Sequence, residues 1–295
     1  MEYDRCVSNL GRTGILTHLP QSACLGVIGI DGGEYPLPTR EQVAELFTPN
    51  SELIAEKIPQ GFARLELTPL ALPTAQLIEL SRVAIINHGT AGEIFQTRHT
   101  PDDPLIPVRV NSEKHVWVWE TLRQALDSDE MIYFPREYTS EHWGMSKTAA
   151  VHDRHICALP GWSVGLVEST PIMPAPGHGE TFAGRKQLET GNSPREYLQQ
   201  MKSTAYRGET GNTLEDFLTR FLTHLEATGE VSNDIFDINA LWCLAQYLVI
   251  PYAEVVPAAR WHRSIGRLRL DLHRTGNKQC TWNVGGATVV RLVGK

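Results

Sequence analysis

The stretch RLRLDLH at residues 267–273 constrains the fold of this chain more than any other short segment. Leucines alternate strictly with charged or polar residues, and a period of two is typical of a strand with one buried face. We therefore expect Leu268, Leu270 and Leu272 to face a core. The outer face then carries Arg267, Arg269, Asp271 and His273.

Further strands are predicted beyond this stretch. A turn at residues 275–277 leads into CTWNV, and Gly285-Gly286 turns the chain into ATVVRLV. Short alternating segments joined by tight turns are typical of consecutive antiparallel strands. The sequence therefore predicts a C-terminal β-meander.

The first half of the chain predicts a mixture of helices and strands. CLGVIGIDGG, FARLELTPLAL, IPVRVN and MIYFP predict strands, TAQLIELSRVAIINH predicts a helix, and HVWVWETLRQAL predicts a strand that passes into a helix. Thr39 with Gln42 three residues later has the pattern of a capping box. The expected class is α+β. We expect one part of unknown role at residues 1–145 and another at 158–295, separated near the loop-like segment YTSEHWGMSKTAAVHDRH.

Two similar decapeptides, ETGNSPREYL and ETGNTLEDFL, lie twenty residues apart in the second half. Ser193 and Thr213 are suitable N-cap residues, each followed three residues later by an acid, so the likeness indicates two helix starts. The second helix is amphipathic. Its expected buried side consists of Leu214, Phe217, Leu218, Phe221, Leu222 and Leu225.

Composition excludes several classes of protein. No run approaches the roughly 18 apolar residues of a membrane span, and the first residues lack the layout of a signal peptide, so we expect a cytoplasmic protein. The five cysteines, Cys6, Cys24, Cys157, Cys243 and Cys280, are scattered without CxxC spacing. This pattern favours reduced thiols over a disulfide framework or a zinc site, and no cofactor is expected.

Charge is distributed unevenly along the chain. Residues 255–295 have a net charge of +7, which leaves −14 on residues 1–254 of a chain whose net charge is −7. Such a segment can bind anions or nucleic acid, or it can dock against acidic surface of the same molecule.

The candidate binding surface is the polar side of the C-terminal strands. Arginine and aromatic residues anchor ligands, and asparagine supplies adaptable hydrogen bonds. The predicted contact residues are Trp261, His262, Arg263, Arg267, Arg269, Asp271, His273, Arg274, Asn277, Gln279 and Asn283.

Two other functions remain open at the level of sequence. His142, His152 and His155 lie in one loop and could bind a metal ion of an enzyme, although HxxH alone is a weak pattern. Arginines with Trp261 and Trp282 could bind nucleic acid on a sheet. Glycine-rich phosphate loops and the GxSxG elbow are missing from the sequence.

Residues 158–295 also carry a likeness to a known family. The likeness rests on the order of four segments: GRKQLETGNSPREYL, TLEDFLTRFLTHLEATGEVSND, VPAARWHRSIGRLRLDLHRTGNKQC and GGATVVRLV. With this order the region resembles the C-type-lectin-fold proteins related to formylglycine-generating enzymes. Within that group the chain is most similar to the variable target proteins of diversity-generating retroelements. The resemblance implies a lectin-like platform that presents binding residues near the C terminus.

The same resemblance has a departure that bears on activity. The paired active-site cysteines of a formylglycine-generating oxidase have no counterpart, since Cys243 and Cys280 lie far apart in this half. The resemblance therefore implies a non-catalytic protein that binds a protein or another macromolecule.

Overall fold

The computed structural model describes residues 2–98, 100, 102–168, 173–232, 240–276 and 284–294. The α-helices are α1 (Glu2–Arg12), α2 (Arg40–Phe47), α3 (Ser51–Lys57), α4 (Thr74–Ala91), α5 (Glu120–Ala125), α6 (Lys147–His152), α7 (Pro194–Gln200) and α8 (Leu214–Thr228). The strands are β1 (Thr17–His18), β2 (Leu25–Ile28), β3 (Glu34–Pro36), β4 (Phe62–Thr68), β5 (Val116–Val118), β6 (Ile132–Tyr133), β7 (Ser163–Glu168), β8 (Thr181–Phe182), β9 (Arg185–Lys186), β10 (Glu209–Gly211), β11 (Ala240–Trp242), β12 (Gln246–Ile250), β13 (Ala253–His262), β14 (Arg267–Arg274), β15 (Val284–Gly286) and β16 (Thr288–Arg291). The class is α+β, as predicted. None of the helices in the described part of the chain is long and apolar enough to cross a membrane.

Two larger sheets organise the fold. One is antiparallel with the strand order β10-β16-β7-β4. The other is built around β13, which pairs with β11 and β12 along one edge and with β14 along the other. Strand β5 extends this second sheet beyond β14, in parallel. Helix α8 contacts β4 of the first sheet and β13 of the second, so it packs between them.

The main hydrophobic core surrounds α8. The six residues expected on its buried side are all buried. Leu268 and Leu270 of β14 are fully buried in the same core, whereas Leu272 is half-buried near the end of the strand. The predicted period of two is therefore confirmed for the inner face of β14.

Local sequence signals for helix starts are also confirmed. Thr39, Ser193 and Thr213 each accept a side-chain hydrogen bond from the backbone N–H three residues later. The side chain at that later position in turn accepts a hydrogen bond from the backbone N–H of the cap residue. These reciprocal bonds satisfy backbone donors that a helix start otherwise leaves without partners.

The expected division between residues 145 and 158 is crossed by hydrogen-bonded strands. β4 pairs with β7, β5 with β14, and β6 with β12. The main core likewise draws on both halves, for example on Leu77 and Leu270. The sheet that carries the predicted binding surface thus includes strands from the first half of the chain.

Three local predictions are wrong. The segment IPVRVN is not a strand: Pro107 forms an isolated bridge with Phe95, and Asn111 N donates a hydrogen bond to Gly266 O. The segment expected to be a loop contains α6, whose N-cap Ser146 accepts a hydrogen bond from Ala149 N. Of the predicted C-terminal meander, the segment CTWNV lies outside the described residues except for Val284. The described strands β14, β15 and β16 do not pair with one another in sequence: β14 pairs with β13 and β5, β15 with β11, and β16 with β10 and β7. These three strands therefore belong to two sheets.

Buried ion pairs connect the first turn of α8 to both halves of the chain. Asp216 accepts hydrogen bonds from Arg291 Nη2 at 2.5 Å and from Thr68 Oγ1 at 2.8 Å. Glu215 lies 2.9 Å from Lys147 Nζ and accepts a hydrogen bond from Tyr133 OH at 2.7 Å. Because both carboxylates are buried, their charges depend on these partners.

Replacing Asp216 with asparagine is expected to lower the free energy of unfolding by about 3 kcal/mol, because Arg291 is then left as a buried cation without its counter-ion. The measurement is urea unfolding followed by circular dichroism. Glu79→Gln is the control, since Glu79 pairs with Arg82 on the exposed side of α4 and such pairs contribute about 0.5 kcal/mol. Equal losses in the two variants would show that the buried pair has no special role.

Candidate functional site

The hairpin of β13 and β14 places basic side chains directly opposite one another. Arg260 pairs with Arg269, and His262 pairs with Arg267. Strand β5 adds Trp117 opposite Arg269. Residues that face each other across a ladder project on the same side of the sheet. We call this surface the cationic face and define it by Trp117, Arg260, His262, Arg267, Arg269, Asp271 and His273.

Arg269 is fixed in position on this face. Its Nε lies 2.6 Å from Asp271 Oδ2, and its Nη2 donates a hydrogen bond to Asp271 Oδ1 at 3.0 Å. The guanidinium also lies 4.5 Å from the ring centroid of Trp117, and that of Arg267 lies 6.0 Å from it. A cation over an aromatic face is held by the ring quadrupole, so both arginines are oriented by Trp117.

The electrostatics of the face favour neutral histidines. Desolvation lowers the pKa of His262 below its ordinary value of 6.5, and the positive charges of Arg260 and Arg269 lower this pKa further. Desolvation likewise lowers the pKa of His273, with the same two arginines contributing and Asp271 opposing them. His273 Nδ1 accepts a hydrogen bond from Trp242 Nε1 at 3.0 Å, so its proton is on Nε2.

One end of the same sheet surface is covered by a second hydrophobic cluster. Trp242 packs edge-on against Tyr197 of α7, and Val256 and Ala258 are buried with them. Polar residues occupy the remainder of this sheet surface, where β14 pairs with β13 and β5. The cationic face is the half-exposed continuation of this covered surface.

Trp261 is a core residue and not a contact residue, which corrects the sequence-based prediction. Its side chain is 0% exposed and stacks on Phe221 of α8, with ring centroids 6.5 Å apart. Trp261 lies between Arg260 and His262 in β13, so the alternation of side chains along the strand directs Trp261 to the opposite side of the sheet.

The other predicted contact residues have different positions. His262, Arg263, Arg267, Arg269 and His273 are half-buried, and Arg274 is exposed at the end of β14 on the side of the leucines. Asp271 is only 4% exposed because Arg269 covers it. Asn277, Gln279 and Asn283, with Trp282, lie outside the described residues.

Sequence analysis missed two residues of the cationic face, Arg260 and Trp117, and also missed Trp119, which lies beside Trp117. Arg260 was not assigned to this face, although the period of two places Arg260 beside His262. Trp117 and Trp119 come from β5 and the residue after it, with ring centroids 6.1 Å apart. Their spacing in HVWVW indicates a shared face, but the pairing of β5 with β14 spans about 150 residues and leaves no local signal.

The histidine loop does not assemble into a metal centre among the residues that the structure describes. No group of three or more His, Cys, Asp or Glu side chains there is arranged to hold a metal ion. His142 accepts a hydrogen bond from Gly144 N, and His152 lies 3.5 Å from Asp31. Burial also raises the pKa of Cys157 to about 12, so its thiol is protonated at neutral pH.

Comparison with known proteins gave no match to a family model, to a curated protein or to a solved structure.

The depressed pKa of His262 can be tested directly. Arg269→Gln removes a nearby positive charge and is expected to raise the titration midpoint of His262 toward 6.5, as followed by NMR of the imidazole C–H signals. Arg82→Gln, a substitution on the exposed side of α4, is the control and should leave the midpoint unchanged. An unchanged midpoint in Arg269→Gln would contradict the electrostatic coupling of the two strands.

Proposed function

We propose that this chain is a non-catalytic binding protein whose ligand is an anionic macromolecule held on the cationic face. The observation that carries the proposal is the concentration of Arg260, Arg267 and Arg269 on one sheet surface. Like charges opposite each other in a ladder destabilise a sheet. A ligand that supplies negative charge would lower this repulsion, as Asp271 already does through its ion pair with Arg269.

The side chains of this face are suited to binding more than to proton transfer. Guanidinium groups stay protonated at physiological pH, so they act as fixed donors and not as acids or bases. Their planar fork matches carboxylate and phosphate oxygens. His273 uses Nδ1 to hold Trp242, which favours a structural task for this imidazole.

Among anionic macromolecules, single-stranded nucleic acid is favoured by a specific observation. Trp119 is 44% exposed beside Trp117 and the arginines. Exposed aromatic rings next to arginines on a sheet stack with unpaired bases while the arginines contact the phosphates. An acidic protein surface would not require this ring. A cytoplasmic location, where such a ligand is present, forms part of the proposal.

The lectin-like resemblance of residues 158–295 stays a prediction, and it is compatible with this proposal. It implies that exposed side chains near the C terminus form the binding surface. The cationic face includes β14 from that region and adds Trp117 of β5 from the first half. A lectin-like platform would therefore present a site to which both halves contribute.

The double substitution Arg267→Gln with Arg269→Gln is expected to weaken binding of a fluorescently labelled single-stranded oligonucleotide by about tenfold or more. Each lost phosphate contact should also reduce the slope of log affinity against log salt by about 0.7. Fluorescence anisotropy at several salt concentrations measures both quantities. The matched control is Arg82→Gln with Arg207→Gln, since both arginines lie in exposed ion pairs elsewhere. Equal affinities of the two double variants would exclude the cationic face as the site.

Trp119→Ala is expected to weaken binding of the same oligonucleotide by about 1–3 kcal/mol, the usual contribution of one base stacked on an aromatic ring. Binding of poly-glutamate should be unaffected. Trp143→Ala is the control, because Trp143 is also well exposed and lies outside the cationic face. If poly-glutamate binds the wild type more tightly than the oligonucleotide does, the ligand is an acidic polypeptide and the nucleic-acid assignment fails.

A further inference from the structure

A polar pocket of about 240 Å³ lies between α1, β4 and α8. It uses the flank of α8 that faces α1, whereas Phe221 on another side of the helix stacks on Trp261 of β13. The pocket is therefore separate from the cationic face. The side chains that matter for its chemistry are Arg5, Arg64, Glu66, Thr219, Arg220 and His224.

Three side chains of this pocket have buried polar atoms without hydrogen-bond partners, and one of them is Nε2 of the partly exposed His224. The other two belong to Thr219 and Glu66, which are buried as whole residues. Thr219 is 2% exposed, and its Oγ1 has no partner. Glu66 is 8% exposed; its Oε2 accepts hydrogen bonds from Arg220 at 2.9 and 2.8 Å, but its Oε1 has none. Buried polar atoms in native proteins nearly always have partners, so both atoms are suited to bind groups of a ligand.

The pocket also contains a cation without a counter-ion of its own. Arg220 pairs with Glu66, and Arg5 pairs with Glu2. Arg64 forms no hydrogen bond or ion pair with any residue in the described part of the chain. Burial lowers the pKa of Arg64 and the charge of Arg220 lowers it further, although the carboxylate of Glu66 opposes these two effects. An anion placed beside Arg64 would compensate both effects.

The backbone of β4 brings the two key groups to the same side. The register with β7 shifts between Phe62 and Arg64, which is the mark of a β-bulge. As a result Phe62 is fully buried in the core, while Arg64 and Glu66, two residues apart, both line the pocket. A guanidinium and a free carboxylate oxygen are thus presented side by side.

We propose that this pocket binds a small organic carboxylate that also carries a hydroxyl or amino group. Arg64 holds the ligand carboxylate through two parallel N–H donors. Glu66 Oε1 accepts a hydrogen bond from the hydroxyl or amino group, and Thr219 Oγ1 bonds to either end. A phosphate dianion fits less well, since its second charge would lie against the carboxylate of Glu66. The volume admits a small acid and not a segment of a polymer.

The test is ligand titration of the full chain by calorimetry, with L-lactate, L-serine, propionate and inorganic phosphate as probes. Lactate or serine is expected to bind, propionate about tenfold more weakly because it leaves Glu66 Oε1 without a donor, and phosphate more weakly still. Absence of binding by both lactate and serine would overturn the proposal. The proposal would also be overturned if propionate or phosphate bound with the same affinity as lactate.

Arg64→Gln is expected to weaken binding of the preferred probe by about tenfold or more, whereas Arg82→Gln should leave it unchanged. Thr219→Val keeps the shape of the side chain and removes the hydroxyl, so it is a second test that does not depend on Arg64. Circular dichroism verifies that each variant is folded. If Arg64→Gln folds and its affinity for the probe is unchanged, the proposal is contradicted. If Arg64→Gln does not fold, an unchanged affinity in Thr219→Val contradicts the proposal instead.

Discussion

Two consecutive buried carboxylates at the start of α8 are the constraint on which the rest of the structure depends. Glu215 and Asp216 are nearly inaccessible to solvent, and a buried charge is tolerated only when it is paired and hydrogen-bonded. Their partners come from separate segments: Thr74 of α4, Tyr133 of β6, Lys147 of α6, Gln246 of β12, Thr68 of β4 and Arg291 of β16. The first turn of α8 therefore specifies how both sheets meet. The positive end of the helix dipole further favours both carboxylates there.

The position of α8 decides which faces of the second sheet remain for function. Phe221 stacks on Trp261, so the odd-numbered side of this part of β13 and the leucines of β14 form the inner layer. Arg260 and Arg269 must then project from the opposite side. Among the residues that the structure describes, that side is covered at the end where Trp242 packs on Tyr197. The cationic face follows from a core interaction on the reverse of the same sheet.

Elements that depend on neighbouring residues could be predicted from the sequence, whereas elements that depend on pairing between distant segments could not. The alternation of β14 and the capping boxes at Ser193 and Thr213 are local, and the structure has them as predicted. Trp261 was misplaced because residue type was given more weight than the period of two, which by itself directs Trp261 inward. Helix α6 is only six residues long, and Lys147 is held there by Asp127 and Glu215. Neither partner could be identified from spacing.

The net negative charge of the whole chain affects which anionic ligands a cationic site can bind. The net charge is −7, so a long polyanion is repelled by the rest of the surface while the arginines attract its nearest charges. The screening length at physiological salt is about 8 Å, so the repulsion is damped beyond the immediate site, while contacts at the face are weakened less. A short, flexible strand can place a few phosphates on the arginines and keep the remainder in solvent. A stiff duplex would bring more of its charge close to acidic surface, so the charge balance is consistent with the short single strand that we propose as the ligand.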